Sequence, residues 1–160
     1  MDIVTLGRTG ICVSRLCIGT GTDGWSHHSR QSSLGVKGLA RLLRFAYDQG
    51  ITFWDSADMY GTHPHVAESL RGLDRSSVVI TTKTVSRKPD AAIRDVERFL
   101  RELRTDYLDI LLLHCLTEAD WPGRYAATME ALSRLREQGL IRALGVSCHD
   151  FEAFTTAAVT

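Results

Sequence analysis

Five compact apolar runs, beginning near residues 16, 51, 78, 108 and 143, alternate along this chain with segments of helical period. The runs are Leu16-Cys17-Ile18, Ile51-Thr52-Phe53-Trp54, Val78-Val79-Ile80-Thr81, 108–113 and Ala143-Leu144-Gly145-Val146. They lack the apolar and polar alternation of a strand with one wet face, so each reads as a strand buried on both faces. Intervals of 35, 27, 30 and 35 residues between strand starts leave room for one helix and two short loops each. This pattern is a succession of βαβ units, and it predicts an α/β fold with a parallel sheet.

The helical segments carry the matching signals. Over 34–49, Val36, Leu39, Leu43, Ala46 and Tyr47 fall on one stripe, with Ser32 or Ser33 as the expected cap and Gly50 as the stop. Over 89–104, Ile93, Val96, Phe99, Leu100 and Leu103 align behind Pro89, which a first helical turn tolerates. A third helix is expected from near Pro122 through Tyr125, Met129, Leu132 and Leu135 to Gly139, and a shorter one over 66–71. Ahead of the first run, 3–6 and 11–14 flank Gly7-Arg8-Thr9-Gly10 and predict a hairpin placed to cap one end of the sheet. No linker or composition break divides the chain, so residues 1–160 read as one domain.

Charge narrows the function classes. The 19 Lys and Arg balance 19 Asp and Glu, which removes the footprint that nucleic acid or an anionic membrane surface selects. The longest apolar stretch is interrupted by Asp109 and falls far short of the roughly 20 residues of a bilayer span. Residues 1–5 show no basic segment leading into an apolar one, so a cytoplasmic location is expected. Cysteines at 12, 17, 115 and 148 form no C-x-x-C pair and are expected as small core thiols.

Parallel α/β folds gather reactive groups at the C-terminal ends of their strands. Here those ends are polar: Gly19-Thr20-Gly21-Thr22-Asp23, Asp55 followed by Tyr60, Lys83, His114, and Ser147-Cys148-His149. Asp55, Tyr60, Lys83 and His114 together suit a proton donor. An ammonium at Lys83 is expected to lower the phenol pKa of Tyr60, with Asp55 aiming the lysine and His114 bonding a substrate oxygen. Trp25 and Trp54 are expected to form an apolar wall. His27-His28 and His63-Pro64-His65, with Cys115 and His149 elsewhere, invite a metal reading, but their spacing puts no two ligands on one helical face. They are expected as surface-loop histidines, with no metal site. Gly19 to Gly24 lacks the G-x-G-x-x-G spacing of a dinucleotide fold.

Four blocks, Asp55-Ser56-Ala57-Asp58-Met59-Tyr60-Gly61, Thr82-Lys83-Thr84, Thr105-Asp106-Tyr107-Leu108-Asp109 leading to His114, and 139–147, resemble the aldo-keto reductase superfamily in order and spacing. The opening Leu6-Gly7-Arg8-Thr9-Gly10 with Val13-Ser14 resembles it too. The resemblance implies a TIM (β/α)8 barrel and reduction of a small aldehyde or ketone by NADPH, with NADH also open. It implies Asp55, Tyr60, Lys83 and His114 as the catalytic tetrad, and Gly21, Thr22, Asp55, Ser147 and Cys148 as cofactor contacts. Cys148 stands where the family often has Asn. An eight-stranded barrel takes about 250 residues, so the fold expected here is a partial barrel: a hairpin plus about five βα units, an N-terminal portion lacking the later strands. Its inward faces are expected to carry Ile18, Phe53, Ile80, Leu112 and Val146 or their neighbours. Self-association or a complementary barrel half follows from such an open sheet. The alternative is a non-catalytic cofactor-binding or interaction module of reductase ancestry.

Overall fold

The structure is a computed structural model that describes residues 1–159. Strands β1 (Ile3–Thr5) and β2 (Cys12–Ser14) pair antiparallel as the expected hairpin. Strands β3 (Cys17–Gly19), β4 (Phe53–Asp55), β5 (Val79–Thr84), β6 (Leu108–Leu116) and β7 (Ile141–Cys148) form one parallel sheet in chain order. Helices α1 (Gly35–Asp48), α2 (His63–Leu70), α3 (Pro89–Leu103), α4 (Trp121–Arg124), α5 (Ala126–Glu137) and α6 (Phe151–Val159) lie between and after the strands. A strand order that never reverses carries every crossover to the same side, as in a barrel wall and unlike a doubly wound sheet.

Register fixes the two faces. Trp54 pairs with Ile80, Thr82 with Leu111, and Leu113 with Val146. These rows face the helices, where Trp54, Ile80, Leu111 and Leu113 join Leu39, Leu43, Val96, Phe99 and Leu132 in the main core. The opposite face carries Phe53, Val79, Ile110, Leu112 and Ala143, and the hairpin's Ile11 and Val13 pack on it. The sequence expectation, which named each residue or its neighbour, is settled residue by residue, with Val79 standing inward in place of Ile80. Ile18, Ile80 and Val146 belong with the helix-side core, whereas Phe53 and Leu112 face inward. A one-residue offset decides the face of a strand residue, and a fully apolar run contains no polar marker to fix that offset.

Three helix details also differ from expectation. Neither Ser32 nor Ser33 caps α1, because a 3-10 turn over Ser32–Leu34 precedes it and Ser32 is bonded back to Ser29. The helix expected from Pro122 is broken at Tyr125 into α4 and α5. Tyr125 instead donates to Glu118 and lies under the Arg87 guanidinium. Helix α2 starts at His63, three residues early, with Pro64 in its first turn. At the opposite end of the sheet from the polar rim, fully buried Asp109 on β6 accepts from Arg75 at 2.6 Å, Arg142 at 2.5 Å and the Ile80 amide at 3.0 Å.

Candidate active site

Asp55 ends β4 and Lys83 lies on β5, both on the inward face. The Lys83 ammonium, almost wholly buried, donates to Asp55 Oδ1 at 2.6 Å and to the Ser56 carbonyl at 2.8 Å. Tyr60 closes a 3-10 turn, Asp58–Tyr60, so its ring swings back over the strand ends. Lys83 Nζ sits 4.9 Å from the centre of that ring, and the Tyr60 hydroxyl is 3.4 Å from His114 Nε2. The four residues that the sequence singled out thus meet in one place.

Two glycines hold the tyrosine. A Cβ on Gly21 would stand 2.3 Å from Tyr60 Cε2, and one on Gly24 would stand 2.4 Å from Cδ1. Backbone from the loop after β3 is therefore pressed directly on the aromatic ring, a contact that any side chain at these positions would prevent. Trp25, on the same loop and half-exposed, places its ring 6.3 Å from that of His114. Trp54 is not part of this wall: it is fully buried on the helix side and its Nε1 donates to the Ile51 carbonyl.

The electrostatics differ from the expected scheme. The phenol of Tyr60 is pushed up to about 12, first by burial, then by the Asp55 and Cys115 charges. The Lys83 ammonium is already matched by the Asp55 carboxylate, so the pair presents little net positive field to the ring. His114, 3 % exposed, is held down at about 4 by burial and by the charges of Lys83, His149 and Arg87. Near neutrality this site holds an intact phenol beside a neutral imidazole.

Of the expected cofactor contacts, Gly21 packs on Tyr60, while Thr22 is bonded to Gln31 through both its amide and its hydroxyl. Ser147 Oγ accepts from the Cys115 amide at 3.1 Å and retains a proton to donate. Cys148 is half-buried on β7, paired in register with Leu116. The thiols are not core residues as expected: Cys12 and Cys17 are exposed and Cys115 is half-buried.

Several supports were not visible in the sequence. Thr20, Thr62 and Ser56 form a buried hydroxyl chain with links of 2.8 Å, and Thr20 also donates to the Asp55 carbonyl at 2.9 Å, which ties β3 to β4 below Tyr60. Arg98 on α3 grips Asp58 through two bonds of 2.7 and 2.8 Å and also meets Asp95 and Glu102. His63 bridges Glu102 and Thr82, each at 2.7 Å. His63 and His65 are therefore buried first-turn residues of α2, which corrects their reading as surface-loop histidines; His27 and His28 are exposed as expected. No periodicity marks such links, since they join residues far apart in the chain.

A parallel sheet wound in one direction, with Asp, Tyr, Lys and His converging at its C-terminal rim, defines the wall of a βα-barrel with a polar site at its mouth. The chain belongs to the aldo/keto reductase family, whose sequence profile matches residues 15–158. It is 30% identical to the aldo-keto reductase YhdN of Bacillus subtilis, across 98% of this chain and 50% of that protein. It is 36% identical to the methylglyoxal reductase YeaE of Escherichia coli, across 87% of this chain and 48% of that one. Among solved structures, the thermostable aldo-keto reductase Tm1743 superposes with a TM-score of 0.76 at 28% identity, covering 98% of this chain and 59% of that one. The holo form of AKR11C1 from Bacillus halodurans gives 0.76 at 27% identity, covering 93% and 51%. The chain spans about half the length of the curated relatives it matches.

Proposed function

We propose that this chain carries the proton-donating side of a carbonyl reductase site, in which Tyr60 protonates the oxygen of a small aldehyde or ketone. The observation that carries the reading is the 3.4 Å approach of the Tyr60 hydroxyl to His114 Nε2 above the Lys83–Asp55 pair. A carbonyl oxygen between phenol and imidazole accepts from both, and the neutral ring offers an N–H without delivering its proton. A phenol near 12 is a weak acid at neutral pH, yet it is more acidic than an alcohol, so transfer to a developing alkoxide runs downhill. The phenolate left behind faces the Lys83 ammonium.

A bound nicotinamide cofactor supplies the hydride in this chemistry. NADPH is the expected donor and NADH the alternative; a family member from Bombyx mori is described in complex with NADP. The residues of the rim fit such a group: Ser147 keeps a donor proton, and Gly19 at the end of β3 leaves open space where a side chain would stand. Asp55, Gly21, Thr22 and Cys148 complete the proposed contact set. The sheet is open beyond β3 and β7 among the described residues, so full turnover is assigned to a closed barrel in which further strands complete the cofactor site.

The test is carbonyl reduction by the chain within such a completed barrel. Tyr60→Phe is expected to lower the rate by about 10²–10⁴-fold, the range of a general acid, with cofactor affinity nearly unchanged. A loss under tenfold removes Tyr60 from the role, and absence of any reduction by the unmodified sequence in the completed barrel favours the binding-module alternative.

A further inference from the structure

We propose that His114, Cys115 and His149, at the ends of β6 and β7, form a binding site for a soft divalent transition-metal ion of the Zn²⁺ class. One ligand atom from each of the three lies within 4.8 Å of the others. The spacing between Cys115 Sγ and His149 Nε2 is 3.6 Å. Zinc bonds of about 2.3 Å to sulfur and 2.0–2.1 Å to nitrogen, opened at the tetrahedral angle, give an S···N edge of about 3.5 Å. Two corners of a tetrahedron are therefore already set, and the third, within 4.8 Å of both, needs an approach of at most about 1.5 Å.

Three independent features point to a ligand here. His114 is buried, yet its Nδ1 has no hydrogen-bond partner, an orphan that buried polar groups rarely remain. A register shift in β6 between Leu113 and Leu116 breaks the pairing with β7, and Cys115 within it takes a left-handed φ of 58°. Bulges of this kind re-aim a side chain, and this one turns a thiol toward the mouth of the site. His149 is exposed and its ring stands 6.3 Å from that of His114, so the fourth position opens to water. One thiolate and two imidazoles select zinc, cobalt or copper over magnesium or calcium, and the thiol proton leaves to solvent on binding.

The other cluster with ligand chemistry, Asp58, His63 and Glu102, is filled by the Arg98 guanidinium and the Thr82 hydroxyl. Sequence spacing concealed the site at β6 and β7 because its ligands come from neighbouring parallel strands rather than one helix face. Its consequence rests on the proposed function: a metal held on Nδ1 keeps the ring proton on Nε2, so Zn²⁺ fixes the tautomer that donates to the carbonyl oxygen.

The experiment titrates Co²⁺ into the metal-free chain and follows absorbance. The expected result is one equivalent bound, with a thiolate-to-cobalt charge-transfer band and strong tetrahedral visible bands, both abolished by Zn²⁺ and untouched by Mg²⁺. Cys115→Ser removes the charge-transfer band, His149→Ala weakens binding at least tenfold, and Cys148→Ser leaves the spectrum unchanged. His149 is exposed, so its variant keeps the fold and decides the matter even where Cys115→Ser does not fold. Weak octahedral bands, or a spectrum shared by wild type and both ligand variants, overturn the site. A completed barrel that binds cobalt through Cys115 yet reduces no carbonyl keeps the metal site and overturns the proposed function instead.

Discussion

At the scale of single residues, the site depends on what is absent as much as on what is present. Gly21 and Gly24 carry no side chain, and the Tyr60 ring fills the space that one would occupy. Gly21→Ala places a methyl 2.3 Å from ring carbon, which forces the tyrosine or the loop to move. Overpacking of this kind costs about 1–3 kcal/mol, and a 1 Å displacement of a reacting group costs about 10²-fold in rate. The expected outcome in the completed barrel is therefore a mild loss of urea midpoint with a fall in kcat of at least tenfold; unchanged kcat would show that the ring position is not critical. The sequence made Asp55, Lys83 and His114 legible because each terminates an apolar run, where a polar residue is conspicuous. It concealed the sign of the Tyr60 shift, since the Lys83 charge is spent on Asp55 at 2.6 Å and burial then dominates. That balance depends on distances that spacing does not contain.

At the scale of elements, periodicity located every strand of the parallel sheet and every helix longer than one turn that it addressed, while ends and caps were set by contacts. The Tyr125 break between α4 and α5 and the early start of α2 both follow from side chains engaged elsewhere, with Glu118 and Arg87 in one case, and Glu102 and Thr82 in the other. Asp109 is the clearest case of a residue whose element hides its role. It interrupts an apolar strand, is fully buried, and joins β6 to the turn before β5 and to β7 through Arg75 and Arg142. Removing one partner of a buried ion pair costs about 3–5 kcal/mol, because the charge left behind stays desolvated. Arg142 reaches water and recovers part of that cost. We predict that Asp109→Ala lowers stability by about 3 kcal/mol in urea denaturation, with Asp109→Asn intermediate. A change below about 0.5 kcal/mol, the range of ordinary surface substitutions, would mean that the pair is neutral.

At the scale of the whole molecule, both flanking helices carry exposed apolar residues. Helix α1, which follows edge strand β3, exposes Leu42 and Phe45; α6, which follows edge strand β7, exposes Phe151, Phe154 and Val159, with Phe151 80 % accessible. Helices between them leave no large apolar side chain exposed, and we propose that the exposure on α1 and α6 is where further helices of a closed barrel pack. The inward face is less open than the strand pattern implied, because the hairpin's Ile11 and Val13 cover Val79, Ile110 and Ala143. What stays unpaired among the described residues is the outer side of β3 and β7, with Phe53 and Leu112 half-buried between. Unpaired edges and contiguous apolar surface drive association. At micromolar concentration the chain alone is therefore expected to elute as a dimer or larger species by size exclusion with light scattering. Phe151→Glu with Phe154→Glu, placed on solvent-facing positions of α6, is expected to shift it toward the monomer. A stable, cooperatively unfolding monomer of 17.8 kDa for the unmodified chain would show that the hairpin and the described sheet suffice to satisfy the fold.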